Sequence, residues 1–272
     1  MKKILLINNH DLLLQHTLDF ATRIAVDEKA TLFGLFVGNL KNDDDENNVL
    51  SSATGLNNDD YSEGKNLNEK PEHEKTNPER FADRCSSLKV PYKIHTIHNN
   101  FLRALVDQSA FADVIICDAE SAPSQYSIKT LIASAHCPVL LVNKDYKQTD
   151  HIIFAYDDNI SSSIHAVKIF TYLFPSLHYL PAHFVSVVPE NVIGIQYEDL
   201  IREWLSLYFS SAEILIVKGD SKEELSNIIN AYSNPVVIMG SFGRSLLSRF
   251  FKESLAQPIL ENTNAPIFIA HD

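Results

Sequence analysis

The chain is short of positive charge, cysteine, glycine and long apolar runs, and each shortage removes a class of function. Only 23 Lys and Arg stand against 35 Asp and Glu in 272 residues, a formal net charge of -12. Binding to nucleic acid or an anionic membrane rests on clustered cations that displace counterions, so neither partner is expected. The 3 cysteines, Cys85, Cys117 and Cys137, are odd in number and match no zinc spacing. They read as reduced and buried, since a chain of this length needs no disulfides to hold a core. The opening apolar run Ile4–Ile7 stops at Asn8, too short for a signal peptide or a membrane span, and predicts a cytoplasmic protein. Catalytic and metal patterns are missing as well. No G-x-S-x-G elbow accompanies a Ser-His-Asp set, and His95 and His98, three apart on an expected strand, face opposite sides. The expectation is a protein with no catalytic residues and no metal site.

What is present is one plan written twice. KILLINNHD (3–11) resembles HIIFAYDDN (151–159), ADVIICD (112–118) resembles NPVVIMG (234–240), and CPVLLVNKD (137–145) resembles APIFIAHD (265–272). Short continuous apolar runs bounded by polar residues fit strands buried on both faces of a parallel sheet. Further strands are expected at 30–38, 92–97, 182–190 and 212–219. Helical spacing lies between them, at Leu14, Leu18, Ala21 and Ile24, and again at Ile164, Val167, Phe170 and Leu173. Ser221 and Glu224 read as a capping box ahead of Leu225, Ile228 and Ile229. The stripe Leu200, Ile201, Trp204, Leu205 and Tyr208 reads as the core face of another helix. Strands alternating with helices in both copies predict an α/β chain of two tandem doubly wound domains, 1–146 and 147–272, each a five-stranded parallel sheet flanked by helices. The first copy carries an insert at about 40–80, rich in Asn, Asp and Glu, that buries too little to order itself, with a helix expected near Glu79 to Leu88.

The segment MGSFGRSLLSRFFKES (239–254) follows an expected strand end, where ligands of open parallel sheets bind. Gly240 and Gly243 would let backbone amides approach an anion, and Ser254 offers a hydroxyl at a helix start. Its spacing is neither the Walker loop nor G-x-G-x-x-G. The same residues also suit local structure: glycines in positive-φ turns, Ser254 with Gln257 as a capping box, and Asp157, Asn159 and Ser161 as helix caps.

Taken with IIFAYDDNISSS, VKGDSKEELSNII and APIFIA, the segment resembles the universal stress protein family, and the two copies resemble its tandem form. The resemblance implies an adenine nucleotide alpha hydrolase-like fold and a regulatory or stress-response role without catalysis. It implies an adenine-nucleotide site, for ATP, at five positions of this chain. Asp157 ends the first strand on the adenine side, Val187 meets adenine through its backbone, and Gly240, Gly243 and Ser254 surround the phosphates. Glu253 stands where the family pattern has glycine. Two unit charges ~4 Å apart repel by ~4 kcal/mol at an effective dielectric of ~20, so Glu253 argues against tight ATP binding. In the first copy Asn9 replaces Asp157 and Asp118 replaces Gly240, and no nucleotide is expected there. The resemblance also implies that the last strands, PVLLVNK and PIFIAHD, pair across the two copies or between two chains as a homodimer, since an unpaired apolar edge is a liability. Two alternatives stay open: a protein-interaction module that has lost its nucleotide, with an unknown protein as partner, and a slow ATP hydrolase.

Overall fold

In the computed structural model the described residues are 2–7, 13–37, 75–97, 100–119, 128–144, 148–158, 160–240 and 264–270. The first half runs β1 (Lys3–Ile7), α1 (Gln15–Asp27), β2 (Thr31–Val37), α2 (Asn77–Ser87), β3 (Tyr92–Ile97), α3 (Phe101–Ser109), β4 (Val114–Asp118), α4 (Ile128–Ser134) and β5 (Val139–Val142). The second half runs β6 (His151–Tyr156), a π-helical turn (Ile160–Ile164), α5 (His165–Leu173), a 3-10 turn (Pro175–Leu177), β7 (Ala182–Val188), α6 (Glu198–Tyr208), β8 (Ala212–Lys218), α7 (Ser221–Ala231), β9 (Pro235–Gly240) and β10 (Ile267–Ala270).

The ten strands form one sheet in the order β3-β2-β1-β4-β5-β10-β9-β6-β7-β8. Every pairing is parallel except β5 with β10, which run antiparallel with Phe268 opposite Leu140. Each half is therefore a doubly wound five-stranded block, and the expected last strands join the blocks within one chain. The repeat seen in the sequence is also a repeat in register. Ile4 lies opposite Val114 as Ile152 lies opposite Val236, and Asp118 opposite Val142 as Gly240 opposite Ala270. The central strands β4, β5, β9 and β10 are buried along their whole length, which is why they read as unbroken apolar runs. The outermost strands, β3 and β8, have burial that falls away to partly exposed.

Helices cover both faces, and each face holds one continuous apolar core drawn from both halves. On one face Leu18, Ile24 and Phe36 share a cluster with Phe170, Phe184 and Phe268. The expected stripe on α6 meets the core at every position but one: Ile201 and Leu205 are buried, but Leu200 is 61% exposed. Trp204 and Tyr208 are partly buried and pack against the same cluster, so Leu200 alone of the stripe faces away from it. α2 begins at Asn77, slightly ahead of the expected 79–88, because Thr76 and Glu79 close a capping box and Pro78 follows in the first turn. The cap of α7 is one residue earlier than expected. Asp220, not Ser221, accepts from the backbone nitrogens of Lys222 and Glu223 at 3.0 and 3.1 Å. A carboxylate next to a glycine of positive φ, Gly219, reaches those amides first. Residues 38–74, most of the acidic insert, lie outside the described residues.

Candidate functional site

In the second half the strand order turns at β6, which has β9 on one side and β7 on the other. The order reverses there, and in open parallel sheets ligands bind beyond the carboxyl ends of the strands at such a point. Three of the five expected residues meet there. Asp157 directly follows β6, Val187 lies near the end of β7, and Gly240 is the last residue of β9; all three line one cavity, together with Ser163, Ser221 and Met239. Gly243 and Ser254, and Glu253 beside it, fall outside the described residues.

Each residue has a local reason for its place. The chain leaves β6 through Asp158 at φ 63°, a left-handed conformation that Asp tolerates better than most residues. It then winds the π-helical turn over ISSSI, which brings Ser163 back towards the strand end. Ser163 Oγ donates to Asp157 Oδ1 at 2.6 Å, so the carboxylate is oriented by a neutral hydroxyl from its own loop. Sequence reasoning read Ser161 as a cap and missed Ser163 as the partner of Asp157; its spacing of six from Asp157 matches no short-range capping pattern. Gly240 is glycine for a reason that neither sequence reading named. A Cβ there would lie 2.5 Å from Ser162 C and O and 2.8 Å from Ser163 N. The absent side chain admits the backbone of the π turn, and Gly240 is not among the described glycines of positive φ.

The walls include Ala155, Val185, Leu225 and Met239, apolar surfaces suited to a flat ring, with Asp157, Ser163 and Ser221 as the polar groups. The cavity volume is about 50 Å³. Pockets that take small organic ligands are roughly 300–1,000 Å³, so the crevice among these residues is closed down to the size of a water or two. On the other face of β6, burial, and then the charges of Asp158 and Asp157, push the Tyr156 hydroxyl above its ordinary range. That hydroxyl is buried and has no hydrogen-bond partner among the described residues.

The equivalent place in the first half is built differently. Asp118, at the position of Gly240, is buried and sits 2.7 Å from His16 Nε2 of α1. A side chain thus stands where, in the second half, Gly240 admits the backbone of the π turn. Asn9, the counterpart of Asp157, falls outside the described residues. Among the described residues no group of three His, Cys, Asp or Glu side chains could hold a metal ion, and no helix is long and apolar enough to cross a membrane.

Solved structures share this fold over nearly the whole chain. A universal stress protein from Archaeoglobus fulgidus DSM 4304 superposes with a TM-score of 0.64 at 14% sequence identity, covering 99% of this chain and 98% of that one. This chain has the fold of that universal stress protein. A functionally unknown protein from Pseudomonas aeruginosa PAO1 follows at TM-score 0.63 and 15% identity, over 100% of this chain and 92% of its own. A third, provisionally described as a universal stress protein of Pseudomonas aeruginosa UCBPP-PA14, gives 0.62 and 16% identity over 100% and 93%. No family model and no curated protein matches the chain. At such low identities the likeness carries the universal stress protein fold over both halves, and the chemistry of the site has to be argued from its own residues.

Proposed function

We propose that the protein is a universal stress protein-like regulatory binding protein of the cytoplasm, with no catalytic step of its own. Its second half takes an adenine nucleotide, or the phosphates of one, weakly at the crevice after β6 and β9. The observation that supports this reading most directly is the convergence of Asp157, Val187 and Gly240 on one apolar-walled cavity. Asp157 would accept from the adenine side or its ribose once Ser163 turns away, and Val187 would offer its backbone. The residues that would meet phosphate, Gly243 and Ser254, follow in the sequence, with Glu253 opposing them. Affinity should be modest for two reasons: Glu253 repels the phosphates, and the crevice must open well beyond its 50 Å³.

The small cavity favours a second reading, a protein-interaction module in which the nucleotide crevice is closed for good. Calorimetric titration with Mg-ATP separates the two readings, run on wild type, Asp157→Ala and Glu253→Gly. Saturable binding by wild type that weakens in Asp157→Ala and tightens in Glu253→Gly supports the nucleotide reading. Absence of heat in all three, from protein whose melting is unchanged, removes that reading and leaves the interaction module.

A further inference from the structure

A roomier site than the crevice after β6 lies in the other half. Between α1 and α2 runs a groove of about 540 Å³, about ten times the volume of the crevice after β6 and inside the usual range of small-molecule sites. From α1 it is lined by His16, Asp19, Phe20, Arg23, Val26 and Asp27, at three- and four-residue spacings that keep them on one side of the helix. α2 adds Arg84, and Leu88 follows it. Phe20 is buried, while Val26 and Leu88 are 46% and 38% exposed, so the groove has an apolar wall open to solvent.

The charges along it are unequally engaged. Arg84 Nη2 holds Asp19 at 2.8 Å, which neutralises that carboxylate. His16 is committed to Asp118 at 2.7 Å. Asp27 has its pKa raised, by burial first, with Glu28 adding to the rise and Arg23 opposing it. Arg23 is exposed and makes no ion pair within 4 Å among the described residues. In a chain of net charge -12, the groove thus presents a guanidinium with unused donors beside an apolar surface.

We infer that the groove between α1 and α2 binds a small organic anion, a carboxylate or phosphoryl group carried on an apolar body. The planar fork of Arg23 matches either oxyanion in two-pronged geometry, and the body lies along Phe20, Val26 and Leu88. Calorimetry of the full chain tests it with three probes: phenyl phosphate, phenylacetate and inorganic phosphate. One of the two aromatic anions should bind saturably and more tightly than inorganic phosphate, and which one wins identifies the headgroup. Arg23→Gln should weaken that binding at least tenfold, and Val26→Asp should weaken it comparably by placing a charge on the apolar wall. Both positions are exposed, so unchanged melting curves will show that the fold is kept. Asp157→Ala, in the other half, should leave the affinity unchanged and thereby separate this site from the nucleotide crevice. The assignment is overturned if neither aromatic anion saturates at millimolar concentration, if Arg23→Gln binds as well as wild type, or if inorganic phosphate alone binds as tightly.

Discussion

A methyl group on Gly240 would stand 2.5 Å from the carbonyl carbon and oxygen of Ser162 and 2.8 Å from the nitrogen of Ser163, all backbone atoms with no freedom to swing aside. Gly240→Ala should therefore destabilise the protein by about 1–3 kcal/mol in urea denaturation with no ligand present. An unchanged midpoint would mean that the π turn yields easily. A second outcome concerns the three thiols, which are all free and buried. Burial pushes Cys85 and Cys137 up to about 12 from an ordinary 9.0, and raises Cys117 as well, with the neighbouring Asp118 adding to it. The folded protein then keeps these protons where the unfolded chain loses them. The stabilisation is complete below about pH 9 and falls as pH rises towards 12, by about 1.4 kcal/mol per pH unit for each thiol that differs fully between the states. Denaturation midpoints measured across that interval should drop more steeply for wild type than for a Cys85→Ala, Cys137→Ala variant.

Among the elements, the helix Ser221–Ala231 shows where local sequence signals suffice and where they slip. Its apolar spacing was legible, and Leu225 and Ile229 are buried as it implies. Its cap was misplaced by one residue because Asp220 and Ser221 both carry capping side chains, and only the backbone turn at Gly219 decides which one faces the free amides. Asp220→Ala should cost about 1 kcal/mol by thermal or chemical denaturation, whereas Ser221→Ala should cost only a few tenths. Equal losses in the two variants would return the cap to Ser221. The helix Glu198–Tyr208 makes the same point in another way. Its apolar residues outnumber the positions that the sheet can cover, so Leu200 and Leu207 face solvent at 61% and 72% exposure. Periodicity reports that a helix is amphipathic, while the width of the covered face depends on how far the sheet extends beneath it.

Across the whole molecule, the halves are joined by more than the β5–β10 ladder. Glu28, at the end of α1, has a side chain only 2% exposed and holds Lys2 Nζ at 2.6 Å. Its other oxygen accepts from the backbone nitrogen of Ser176 at 3.1 Å and from the Ser176 hydroxyl. Lys2 also donates to the carbonyl of Leu173, and Asn143 Nδ2 donates to the carbonyl of Ala265 at 3.2 Å. Glu28→Ala would leave the Ser176 groups and part of the lysine without partners. Because Lys2 remains a quarter exposed, the expected loss is about 2 kcal/mol, somewhat below that for breaking a fully buried pair. The two halves should still unfold in one transition, since each core cluster contains residues of both. Two separate transitions in calorimetry of wild type would show that the shared core does not couple them.

The sequence by itself determined the alternation of strands and helices, the repeat, and the residues that end β6 and β9. Each of these follows from runs and spacings of apolar side chains that a parallel sheet requires whatever lies around it. The crevice was legible in part for the same reason, because Asp157, Val187 and Gly240 stand at strand ends and strand ends converge at the point where the order turns. Only the tertiary structure decided that Gly240 serves the backbone of Ser162, that Ser163 orients Asp157, and that Asp118 pairs with His16. It alone brought Arg23 and Arg84 to one groove on two helices. These are contacts between segments whose separation in the chain carries no periodic signal, and their distances are set by how helices settle on the sheet.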